Sequence, residues 1–158
     1  MTPQNLINSL AENLKTAAEN YNFPAEFEVN KPISIYKMTI PAAEFENQSF
    51  YPLLCIELTG IVDEPEFSVA SVLITCGVYD GDSKSGEFLF ILTEAVRQWI
   101  LTHKIFDSFS LQYPIETFTV EKTVESFSFS QIFCAYQIPN LSRNYTRSDK
   151  FESRYKIR

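Results

Sequence analysis

The sequence has a single histidine, four glycines and three cysteines, and each scarcity closes a class of function. A hydrolytic triad needs an imidazole beside a nucleophile. His103 is the one candidate, and it ends a helical pattern, where a histidine serves better as a carbonyl cap or a water-facing side chain. Phosphate cradles need glycine-rich turns, and neither GxxxxGK[ST] nor GxGxxG occurs. Cys55, Cys76 and Cys134 share no CxxC spacing and lie inside separate apolar runs. A free cysteine there behaves as a small core hydrophobe, so buried thiols are expected rather than a metal site. No apolar run approaches the roughly 18 residues of a membrane span, and no basic segment with an apolar stretch opens the chain. The expectation is a soluble chain, cytoplasmic when made, with no cofactor, no metal, no catalytic residue and no membrane partner.

Positive charge is also short, at a net charge of -7, which argues against a general nucleic-acid binder with a basic face for phosphates. The shortage is local. From Ser142 onward, Arg143, Arg147, Lys150, Arg154, Lys156 and Arg158 face only Asp149 and Glu152, a balance of +4 that leaves -11 for the residues before them. Such segregation suggests a basic arm over 142–158 that lies on an acidic surface, for instance on a neighbouring copy of the chain.

Aromatic residues, by contrast, are plentiful: 15% of the chain, mainly 14 Phe and 8 Tyr. A domain of this size buries roughly 70% of the surface that its unfolded chain exposes, so a surplus on this scale leaves rings for a partner. An apolar fraction of 45% and a charged fraction of 21% are ordinary for a globular protein. One domain over 1–141 followed by the basic arm is expected.

From Thr2 to about Tyr21, Pro3 stands at a favourable helix start, and Leu6, Ile7, Leu10, Leu14, Ala17, Ala18 and Tyr21 form one apolar stripe. Pro24, Pro32 and Pro41 punctuate a stretch that holds a short β-rich piece, Ile33 to Ile40, which fits an edge strand or extended arm. Tyr51 to Thr59 alternates Leu54, Ile56 and Leu58 against Leu53, Cys55 and Glu57, a strand with one wetter face. Gly60 to Glu66 then reads as a hairpin connection. Phe67 to Tyr79 is the strongest strand signal, rich in β-branched residues, and is expected to be central. Asp80 to Gly86 is a turn and helix entry, with Ser83 or Ser85 as cap. Phe88, Ile91, Leu92, Ala95, Trp99 and Ile100 then predict a second amphipathic helix to about His103. Leu111 to Val120 and Phe127 to Ile138 give two further strands around the polar turn Glu121 to Ser126. The order predicts an α+β fold: a mainly antiparallel sheet of about four to five strands with two amphipathic helices packed on one face.

The acidic clusters carry no chemistry in this reading. Asp80, Asp82 and Glu87 lack the spacing of a calcium loop and suit a turn and cap. Asp63 and Glu64 suit a solvated hairpin, with nothing to separate their acidities. Phe127, Phe129 and Phe133 could stack bases, but strand alternation into a core explains the same spacing without a ligand.

The segments YPLLCIELT, VLITCGVYDGDSKSGEFLFILTEAVRQWILTHKIFD, LQYPIE and AYQIPNL resemble a family of bacteriophage tail-terminator or tail-completion proteins from phages and prophages of Gram-positive bacteria. The shared features are a proline-opened strand at Tyr51-Pro52, a strand ending in Gly77-Val78-Tyr79-Asp80, Gly86 before the helix, and Leu111-Gln112-Tyr113-Pro114. They span about Tyr51 to Leu141 and are structural. The chain departs from the pattern at VEKTVESFSFS and in the basic arm.

The resemblance implies a virion protein of the head-tail junction that oligomerises, typically as a hexameric ring. Such a ring caps the tail tube protein, offers its other face to the head-tail connector protein and meets DNA only as it passes through the lumen. It further implies subunit contacts at the 80–86 loop (Asp80, Asp82, Lys84) and at the approach to Tyr51 (Phe50, Tyr51), with Arg143, Arg147, Arg154 and Arg158 reaching a neighbour or the connector. Two other readings use the same features: a head-completion or connector adaptor, and a non-enzymatic phage-encoded regulatory binding protein acting as a monomer or dimer.

Overall fold

The computed structural model describes residues 2–21, 32–79, 85–120 and 126–139. Helix α1 (Pro3–Glu19) starts at Thr2, whose side chain accepts the Asn5 N–H at 3.2 Å while Asn5 Oδ1 accepts the Thr2 N–H at 2.8 Å. This reciprocal cap satisfies two otherwise orphaned donors. The stripe read from the sequence is the buried one: Leu6, Ile7, Leu10, Ala11, Leu14 and Ala18.

A six-stranded sheet follows in the order β1-β2-β3-β6-β5-β4. The fold is α+β. Every adjacent pair is antiparallel except β1 (Ser34–Lys37), which runs parallel to β2 (Leu53–Asp63) on one edge. The segment between them holds a short helix, α2 (Ala42–Phe45), and a 3-10 turn, Gln48–Phe50. Strand β3 (Phe67–Tyr79) has the expected bounds and lies inside the sheet, between β2 and β6 (Phe127–Pro139). Helix α3 (Ser85–Thr102) leads to β4 (Ile105–Phe106) and β5 (Phe109–Val120).

Several elements differ from the sequence reading. Strand β2 continues through Gly60 to Asp63, so the hairpin shrinks to the residues after it, closed by the Glu64 N–H on the Phe67 carbonyl at 2.8 Å. The stretch Lys104 to Ser110, between the expected helix and the strand from Leu111, holds a tight hairpin that joins β4 to β5. Its turn residue Asp107 has φ 53° and accepts the Ser9 hydroxyl at 2.6 Å, which ties the turn to α1. The sheet thus has six strands against the expected four to five: β1 stands on the edge where the Ile33 to Ile40 piece was read, and β4 is the addition, because two residues are too few to establish a period.

Both long helices cover the same sheet face. Their core joins Leu6, Leu10 and Leu14 of α1 and Leu92, Val96 and Ile100 of α3 to alternate residues of the strands: Leu54 and Ile56; Val72, Ile74 and Cys76; Ile132, Cys134 and Tyr136. The stripe of α3 is rotated from the one expected. Leu89, Thr93 and Val96 are buried, whereas Ile91 is only half-buried and Phe90 faces water. The Tyr136 ring is fully buried against Phe106, yet its hydroxyl has no hydrogen-bond partner among the described residues.

Candidate interaction surface

The opposite face of the sheet is built differently. Its cross-strand rows follow from the register: Leu53, Gly77, Phe129 and Val120; then Cys55, Thr75, Gln131 and Phe118; then Glu57, Leu73, Phe133 and Glu116. On β6 the alternation was read correctly, but the core side is the Ser128, Ser130, Ile132, Cys134 and Tyr136 set. The phenylalanines face the other way, which corrects the expectation that Phe127, Phe129 and Phe133 fill one core.

Among the described residues only one end of this face is covered. The segment that carries α2 folds over it, and Phe45 stacks on Phe129 at 5.3 Å with ring planes 4° apart. Tyr51 packs on Phe127 at 4.9 Å and donates its hydroxyl to the Phe45 carbonyl. Gly77 permits this layer: a Cβ there would lie 2.9 Å from the Phe129 ring and 3.0 Å from that of Tyr51. The same layer dries Leu53 and Cys55, so the expected wetter face of β2 is buried over its first half.

The proposed contact residues fare as follows. Tyr51 is 4% exposed and pinned within its own chain, so it offers no free surface, while Phe50 beside it is half-buried. Asp80, Asp82, Lys84, Arg143, Arg147, Arg154 and Arg158 lie outside the described residues. His103 caps α3 as expected: its Nδ1 lies 2.9 Å from the Trp99 carbonyl and its ring stacks on Trp99 at 4.4 Å. All three thiols are free and buried. Burial pushes each up to about 12, Cys55 with help from the Glu57 carboxylate. At neutral pH they are neutral packing groups without nucleophilic character.

Beyond the covered end the face is open. Phe118 is 44% exposed and Phe133 38%, flanked in the register by Glu57 and Glu116. The outer edge of β5 is open as well. It pairs with β4 only at Phe109 and Ser110, and from Gln112 to Val120 it has no strand partner among the described residues. A groove of about 540 Å³ runs between this edge and α3, lined by Leu89, Phe90 and Thr93 of the helix and Thr117, Phe118 and Thr119 of the strand. At its floor the Thr93 hydroxyl donates to the Leu89 carbonyl at 2.6 Å and so accepts from Ser130 at 2.5 Å. Phe90, 69% exposed, stands at its rim.

Sequence reasoning found the aromatic surplus but not this place for it. The signal was Phe90, the one ring on the helix that its own periodicity left out. No protein-family model and no curated protein matches this chain. Among the described residues no cluster of His, Cys, Asp or Glu could hold a metal ion, and no helix is long and apolar enough to cross a membrane. What the arrangement can do chemically is present an apolar, hydrogen-bonding surface bordered by carboxylates.

Proposed function

We propose that this chain is a structural subunit of a bacteriophage head-tail junction, which assembles with copies of itself into a ring, typically a hexamer, that terminates the tail tube. The observation that carries the reading is the pairing of an open strand edge with exposed Phe90, Phe118 and Phe133 beside it. Exposed rings next to unpaired backbone donors and acceptors are a liability in a solitary protein and an asset in a subunit. The resemblance over Tyr51 to Leu141 supplies the particular assembly, and the layered sheet with helices on one face leaves the other face and one edge for neighbours. A repeated head-to-tail contact closes into a ring when its rotation divides a full turn evenly, and extends into a filament otherwise.

In this role the ring meets the tail tube protein on one side and the connector on the other, and DNA passes through its lumen. A head-completion adaptor shares the ring and is separated by its partner alone. Light scattering of the purified full chain across concentration and salt tests the reading: a hexamer, or a mass that rises toward one, is expected. A mass of one chain at every concentration, together with no binding to purified tail tubes, would overturn it.

A further inference from the structure

We infer that the open edge of β5 is completed by residues 151–158 of a second copy, added as a further strand over the groove beside α3. This rests on the ring reading and names the contact that would build the ring.

Three observations converge. The outer edge from Gln112 to Val120 has no strand partner among the described residues and lies beside a groove rimmed by Phe90. An extended segment that pairs with such an edge gains main-chain hydrogen bonds along its length and places alternate side chains on opposite faces. Residues 151–158, which lie outside the described residues, have that pattern in their sequence. Phe151, Ser153, Tyr155 and Ile157 alternate with Glu152, Arg154, Lys156 and Arg158. Eight residues at about 3.3 Å each span about 26 Å, enough to cover the regular stretch from Glu116 to Val120; before it the edge is broken by a bulge and by Pro114, which has no N–H to offer.

Charge sets the orientation. With Phe151, Tyr155 and Ile157 turned into the groove under Phe90, the cationic side chains lie on the bare sheet face. There Glu116 stands on β5 itself, and Glu57 ends the same row. Opposite charges on neighbouring strands of one face attract, and the arm's +4 meets a body that is net acidic.

The path of the chain favours a second copy. Strand β6 ends at Pro139, beside the end of β5 where β4 already occupies the outer edge: Gln137 pairs with Ser110, and Ser110 with Ile105. A chain's own arm would have to round that hairpin to reach the edge, a constraint that an arm from a second copy does not share.

The test uses full-length chains with the substitutions F90D in the groove and F151S/Y155S/I157S in the arm. Phe90 is mostly solvent-exposed, and unchanged thermal midpoints would confirm that both variants fold. Each variant alone is expected to lose the wild-type oligomer, and amide exchange over Gln112 to Val120 should speed by about ten-fold or more. An equimolar mixture should recover a mass of two chains, because one variant keeps a sound groove and the other a sound arm. Wild-type mass and exchange in both variants would overturn the inference while leaving the ring reading intact. Accelerated exchange in the variants with no two-chain species in the mixture would assign the edge to the chain's own arm and overturn the second-copy contact. A wild-type chain that is monomeric throughout would overturn this contact, and if it also failed to bind purified tail tubes the ring reading would go with it.

Discussion

The two faces of the sheet solve different problems with the same strands. The helix side is sealed. Leu54, Ile74, Cys76, Ile132 and Cys134 meet two amphipathic helices, and Phe106, Phe109 and Tyr136 pack together within it. The other side is half open: its covered end relies on stacked rings over a glycine, and its Glu57–Glu116 row ends in a carboxylate on each side. A small domain needs one sealed core for stability, and the second face is then free to hold function. The contrast teaches that buried rings serve both faces, while the exposed rings Phe118 and Phe133 belong to the face that does not carry the fold.

Substitutions on the two sides should therefore differ in kind. The largest effect is expected for Ile74→Ala, at the centre of the sealed side, which should lose about 2–5 kcal/mol in denaturant unfolding through lost burial and a residual cavity. A loss under about 1 kcal/mol would mean that the helix side is not the main core. Gly77→Ala forces a methyl group against the Phe129 and Tyr51 rings and should destabilise by about 1–3 kcal/mol. Faster amide exchange at Tyr51 and Phe45, with the helix side unaffected, would show that the aromatic layer is a separable lid.

The thiols sharpen the comparison through pH. Burial raises Cys55, Cys76 and Cys134 from 9.0 to about 12, so the folded state holds protons that the unfolded state releases first. Their stabilising effect is whole below pH 9 and is lost as pH rises from there toward 12. Thermal midpoints should fall across that window, and thiol reagents at pH 8 should label the protein only after unfolding. Rapid labelling of the native chain would contradict the burial of both faces.

The smallest effect on folding is expected on the bare face. Phe133→Ser, 38% exposed, should change stability by no more than about 0.5 kcal/mol while lowering the oligomer mass seen by light scattering. Unaltered assembly would move the contact surface away from the Glu57–Glu116 row and leave only the β5 edge in the account.

Much of the fold was legible because its long elements carry complete periods. Helix α1 shows five turns of apolar spacing and a cap pair, and β3 alternates over thirteen residues. The short strand β4 was not legible, since two residues set no period, and β1 was read as an edge strand or arm without its parallel partner β2, which a separate segment supplies. On β6 the sequence separates two sets of side chains but cannot rank them. Phenylalanine outranks serine and cysteine in hydrophobicity, yet the Ser, Ile, Cys and Tyr set is the buried one, because the packing of the two helices decides which side of β6 is covered. The rotation of the α3 stripe has the same origin: Thr93 can be buried because Ser130 and the Leu89 carbonyl satisfy its hydroxyl, a pairing 37 residues apart that no local pattern contains.

By itself, then, the sequence determined the types and order of the long elements, the neutral buried thiols and the charge contrast between the last residues and those before them, since these depend on local spacing and composition. Only the tertiary structure decided which face of each strand is sealed, that β5 runs past the short β4 with an outer edge open among the described residues, and that Phe90 overlooks it. Those outcomes depend on how distant segments pack, where one face of a sheet can be closed by two helices and the other has only a short segment to cover it.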